Sequence, residues 1–142
     1  MASIHKDIPI DAHRDDVWAA VRDFGALHRL VPGFVRDVRL EGDARQETRI
    51  VTFANGMVAR EVLVDCDAAR RRLVYAISNE RVQHYNASVE VIADGAANSR
   101  LIWIVDVLPH EIAPYIGGQM DQAAAAMQQA LDRARDGARP ST

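Results

Sequence analysis

Residues 111–136 carry Ile112, Ile116, Met120, Ala123, Met127, Leu131 and Ala134 at steps of three and four, which is the period of one helical face. A stripe that long needs a broad apolar partner. Between residues 34 and 108 the hydrophobic period is two instead, the signature of strands whose side chains alternate between faces. One long helix laid across a strongly curved antiparallel sheet satisfies both patterns. A sheet that wraps a helix also leaves room between them, so the pattern predicts a pocket.

The rest of the chain fits that plan. Residues 3–10 place Ile4, Ile8 and Ile10 on one side of a first strand, with Lys6 interrupting the row and Pro9 marking an edge. Asp11 is a possible cap for a helix over 14–23, where Val17, Trp18, Val21 and Phe24 fall at helical spacing until Gly25 stops it. A short second helix, 26–31, ends before Pro32-Gly33. Strands are then expected over 34–40, 46–54, 57–66, 72–78, 82–93 and 100–108, the last apolar enough to suggest burial on both faces. Asn55-Gly56, between two of these runs, is the strongest hairpin signal, because both residues tolerate positive φ. Gly117-Gly118 would cost about 1 kcal/mol each inside a helix, which predicts a bend or a delayed helix start near Gln119.

Composition narrows the class of function. A chain of 142 residues suits one domain, here 1–137, with a frayed tail at 138–142. The net charge of −3, with Arg and Asp interspersed, offers no basic field for phosphate backbones, so no nucleic-acid partner is expected. Cys66, the single cysteine, excludes an intramolecular disulfide and reads as a packing residue at a strand end. No apolar run approaches the roughly 20 residues of a membrane span, and the first residues, broken by His5, Lys6 and Asp7, do not resemble a signal peptide. A cytoplasmic address is the expectation. The histidines are scattered without ligand spacing, no Gly-rich phosphate loop follows a strand, and no Gly-x-Ser-x-Gly elbow occurs. Neither a metal site nor a cofactor is therefore expected.

Val17-Trp18, Asp23-Phe24, Thr48-Arg49, Asn55-Gly56, Arg60-Glu61, Asp67, Tyr75, Tyr85-Asn86 and Trp103 stand in an order and spacing that resemble the START-like superfamily. More specifically, the chain is similar to the small bacterial polyketide cyclase/dehydrase-like (SRPBCC, lipid transport) group. Leu30 departs from the tryptophan typical of that group at this point. The resemblance implies an α+β helix-grip fold, with a curved seven-stranded antiparallel sheet around a long C-terminal helix and two short helices after strand 1. It also implies a cavity for an apolar or aromatic ligand, while the fold does not name the reaction.

Arg49 and Glu61 are the candidate catalytic residues, flanking the Asn55-Gly56 hairpin on adjacent strands. Registry decides their relation. A two-residue turn sets Arg49 opposite Val62 and sends the two side chains to different faces; one extra loop residue sets them on the same face. A buried pair could then anchor a ligand, or could only fix the registry. Tyr75, Tyr85, Trp103 and Tyr115 supply aromatic surface, Met120 lies on the helix face above, and each reads as core or as cavity wall, with packing favoured for Trp103 and a pocket rim open for Tyr115. His84 and Asn86 fall on the polar side of their strand and are expected to face solvent. Two functions follow from this set. One is binding of a small hydrophobic or aromatic metabolite, with or without cyclase/dehydrase-like chemistry; the other is a non-catalytic carrier or accessory protein, as a monomer or homodimer.

Overall fold

The computed structural model describes residues 2–43, 45–78 and 81–138, with side chains as far as Asp132. Strand β1 (Ser3–Ile10) leads into helix α1 (Arg14–Val21), a 3-10 turn (Phe24–Ala26) and helix α2 (Leu27–Leu30). Six strands follow: β2 (Val35–Asp43), β3 (Gln46–Phe53), β4 (Val58–Asp67), β5 (Arg72–Ser78), β6 (His84–Asp94) and β7 (Asn98–Leu108). A second 3-10 turn (His110–Ile112) then delivers the chain to helix α3 (Ala113–Ala138). The seven strands form one antiparallel sheet in the order β1-β7-β6-β5-β4-β3-β2, so the meander closes on β1 and leaves β1 and β2 as edges. This is the helix-grip architecture expected from the sequence.

The inner face of the sheet builds the core. Ile8 and Ile10, then Leu101, Trp103, Val105 and Val107, then Ala87, Val89 and Val91, alternate inward along β1, β7 and β6. Helix α3 answers with Met120, Ala123, Met127 and Leu131, all buried on one stripe. Fully burying a side chain of this kind stabilises by about 1.5–3 kcal/mol, so this stripe, and not helix propensity, holds α3 in place. Three polar contacts lace the helix to the β1 side: Lys6 Nζ to Asp121 at 2.6 Å, Gln128 Nε2 donating to Pro9 O at 2.8 Å, and Asp11 N donating to Asp132 Oδ1 at 2.9 Å. They are exposed and set position more than stability.

Several details differ from the sequence reading, each for a local reason. Helix α1 is capped by His13, whose Nδ1 accepts from Asp15 N at 3.1 Å, and not by Asp11. It ends at Val21, and Gly25 lies within the 3-10 turn beyond. β2 runs on to Asp43, three residues past the end expected at residue 40. Helix α3 contains both glycines and starts at Ala113, with no delay to Gln119. β7 is buried on its inner face alone, because no layer of the described residues covers the other; Ile102 and Ile104 there are half-buried. Cys66 lies in β4 and is exposed, and so is not the packing residue expected. Of the tail expected at 138–142, Ala138 ends helix α3, and residues 139–142 lie outside the described residues. Among those residues no helix is long and apolar enough to cross a membrane.

Candidate functional site

The β3–β4 hairpin settles the registry on which the site depends. Gly56 N donates to Phe53 O at 2.9 Å and Phe53 N donates to Met57 O at 2.8 Å, so the loop is Ala54-Asn55-Gly56. Gly56 adopts φ +90°, the left-handed conformation that closes a three-residue hairpin with a bulge. Asn55 Oδ1 accepts from Met57 N at 3.0 Å and fixes the turn. The extra residue puts Arg49 directly opposite Glu61. Both side chains then enter the space under α3.

There they form a buried ion pair. Glu61 Oε1 accepts from Arg49 Nε at 2.8 Å and lies 2.7 Å from Nη2. Arg49 Nη1 donates to Phe24 O at 3.2 Å, and the guanidinium stacks 4.0 Å from the Phe24 ring and 5.1 Å from that of Tyr75. The 3-10 turn after α1 thus presents both a carbonyl and a ring to the cation, locking its orientation. Burial pushes the Glu61 carboxyl above its ordinary value, against the opposing pull of Arg49. Both contacts converge on Oε1. Among the described residues no hydrogen bond reaches Oε2, which leaves that oxygen's lone pairs for another partner.

The pair sits in the wall of a cavity of about 170 Å³ between the sheet, α3 and the α1–α2 segment. All seven residues singled out from the sequence, Arg49, Glu61, Tyr75, Tyr85, Trp103, Tyr115 and Met120, border it. All three tyrosines of the chain are among them. Burial, then the nearby Glu61 charge, pushes the Tyr75 hydroxyl far above its ordinary value; burial, then Tyr75 and Glu61, does the same for Tyr85. Both phenols therefore stay protonated near neutral pH and can donate hydrogen bonds. Trp103 is buried, and its indole N–H has no acceptor. An unmet buried donor costs about 1–3 kcal/mol, so that N–H is a group in want of a partner.

Tyr115 is half exposed at the cavity mouth, where its hydroxyl lies 3.6 Å from Met57 Sδ. This contact bridges the first turn of α3 to the hairpin tip. Sequence reasoning missed the rest of the mouth: Phe34 and Phe53, packed edge to face at 5.6 Å, and Leu27, Leu30 and Val31 of the α2 region. The Pro32-Gly33 break that swings the chain past the hairpin was the available signal. His84 is exposed and Asn86 half-buried on the outer face, away from the cavity. Burial, and then the carboxylates of Asp65, Glu47 and Asp67, push the Cys66 thiol up, away from a reactive thiolate. Among the described residues no group of His, Cys, Asp or Glu is arranged to hold a metal ion.

The family model described as polyketide cyclase/dehydrase and lipid transport matches residues 1–138. The chain belongs to this family. A search of curated proteins finds no match. Among solved structures, the protein XoxI from Bacillus cereus superposes with a TM-score of 0.82 at 22% identity, covering 92% of this chain and 96% of that one. The Zhui aromatase/cyclase from a Streptomyces species gives 0.74 at 16% identity, covering 94% and 93%. Norcoclaurine synthase from Thalictrum flavum, solved with dopamine and hydroxybenzaldehyde, gives 0.74 at 18% identity, covering 98% and 88%. At these identities the likeness establishes the family's helix-grip fold.

Proposed function

We propose that the protein binds a small hydrophobic or aromatic metabolite in the cavity under α3 and acts on it by cyclase- or dehydrase-type chemistry. The observation that carries this reading is the buried Arg49–Glu61 pair set into an otherwise largely apolar wall, with one carboxylate oxygen unengaged. Family membership and the fold shared with an aromatase/cyclase support it. Glu61, when ionised, takes a proton from a carbon beside a carbonyl; the C–H electrons form the new double bond, and a β-hydroxyl departs with that proton as water. Tyr75 and Tyr85, both protonated, donate to the carbonyl as charge builds on it. Arg49 holds the carboxylate in place and is a positioning residue. Residues 1–137 act here as one cytoplasmic unit, monomer or homodimer, with neither cofactor nor nucleic acid.

A carrier without chemistry is the second reading, favoured by the full engagement of the guanidinium with Glu61, Phe24 and Tyr75. Incubation with a pool of β-hydroxy and β-keto aromatic compounds, followed by native mass spectrometry, separates the two. An enzyme releases products lighter by one water, and Glu61→Gln abolishes their formation while retaining binding. Return of every compound at its original mass leaves the carrier.

A further inference from the structure

Two groups on the cavity wall lack partners, and they have opposite polarity. Trp103 Nε1 is a donor with no acceptor, on a side chain 8% exposed. Glu61 Oε2 is an acceptor with no donor among the described residues, because both guanidinium contacts end on Oε1. The Tyr75 hydroxyl lies near the indole without meeting hydrogen-bond geometry to it. The other orphaned indole, that of Trp18, lies in the core outside the cavity wall. The unpartnered Trp103 N–H therefore belongs to the cavity wall.

Charge and size restrict what can fill these positions. Arg49 and Glu61 neutralise each other, and the remaining charged residue of the wall, Asp23, is exposed at the rim. A charged ligand would lose its hydration without gaining a counter-charge. The volume of about 170 Å³ compares with the roughly 150 Å³ apolar cavity that takes up one benzene ring. One aromatic ring therefore fits within it.

Building on the cavity-ligand reading above, we propose that the site selects an uncharged, single-ring aromatic molecule that meets both poles. A carbonyl-type acceptor on the ring takes the Trp103 indole N–H, and a hydroxyl or N–H donor binds Glu61 Oε2. Recognition is then by paired polarity inside an apolar hollow: a ligand without the acceptor leaves the buried Trp103 N–H unmet, and one without the donor forgoes the hydrogen bond to Glu61 Oε2.

Four probes test this by titration calorimetry at neutral pH: 4-(hydroxymethyl)acetophenone, acetophenone, benzyl alcohol and 4-acetylbenzoate. The first carries acceptor and donor, the next two mainly one role each, and the last is anionic. The expected order places 4-(hydroxymethyl)acetophenone about tenfold ahead of acetophenone and of benzyl alcohol, with 4-acetylbenzoate weakest. Trp103→Phe, checked for folding by circular dichroism, then lowers affinity for the two neutral ketones severalfold and leaves benzyl alcohol unchanged. Equal binding of the three neutral probes overturns the paired-polarity proposal and leaves the cavity as a general apolar site. Preference for the anion overturns the charge argument. Failure of every neutral ring to bind overturns the proposal together with the cavity-ligand reading, so the two failures are distinguishable on the native protein alone.

Discussion

Arg49 and Glu61 face each other across β3 and β4, and both guanidinium contacts end on a single carboxylate oxygen. The relation exists because the hairpin loop has three residues; a two-residue loop would have sent the side chains to opposite faces of the sheet. It joins the sheet to the α1–α2 segment through Phe24, so one pair serves both packing and the cavity wall.

Breaking the pair from one side should be severe. Arg49→Ala leaves a buried carboxylate without its cation and is expected to cost about 3–5 kcal/mol, read by urea unfolding. The double replacement Arg49→Met with Glu61→Leu removes both charges and should recover most of that loss while abolishing any turnover. A double variant as unstable as the single one would mean that the pair is worth more to the fold than its desolvation allows.

The Glu61 carboxyl imposes a pH dependence of definite sign. Its folded value is raised above the ordinary 4.5, so the stability that it contributes is fully present below 4.5 and lost as pH rises through the folded value. The stability of the native protein minus that of Glu61→Gln should therefore fall with pH above 4.5, by about 1.4 kcal/mol for each unit of displacement. Exposed Asp15, held low by hydrogen bonds from Arg71, acts in the opposite sense below 3.8 and does not overlap. A difference that grows with pH would show that Arg49 outweighs burial.

Gly118 lies inside α3 with open space where a Cβ would be, and a Cβ at Gly117 would meet Ile4 Cγ2 at an ordinary 3.9 Å. Gly118→Ala should stabilise the fold by up to about 1 kcal/mol, raising Tm by a few degrees in a thermal melt. Destabilisation would indicate that the helix start must deform in the native state.

Tyr115 closes the mouth against Met57 without contributing much to the core. Tyr115→Ala should leave stability within about 0.5 kcal/mol of the native protein and speed acetophenone association severalfold, followed by stopped-flow quenching of Trp103 in a Trp18→Phe background. An unchanged association rate would place the entrance elsewhere.

The architecture was legible because the change from period two to period 3.6 allows few arrangements: Val89, Trp103 and Met127 fall where the pattern puts them. The Arg49–Glu61 relation was legible only as an alternative, since Asn55-Gly56 fits either loop length and the third residue, Ala54, carries no turn signal of its own. The early helix start was hidden by the glycine penalty, which packing of Ile116 and Met120 on the core offsets. Leu27, Leu30 and Phe34 could not be told from core residues, because a cavity is a mismatch of shapes and leaves no periodicity.

The most direct test of the cavity and its polar wall is a titration of ¹⁵N-labelled protein with acetophenone, followed through side-chain N–H resonances. The chain has two indole signals, Trp18 and Trp103, and only Trp103 lines the cavity. The predicted result is a saturable shift of the Trp103 indole and of the Arg49 Nε–H, with Trp18 unmoved. Saturating ligand that leaves Trp103 and Arg49 where they were, or moves Trp18 as much, would contradict it.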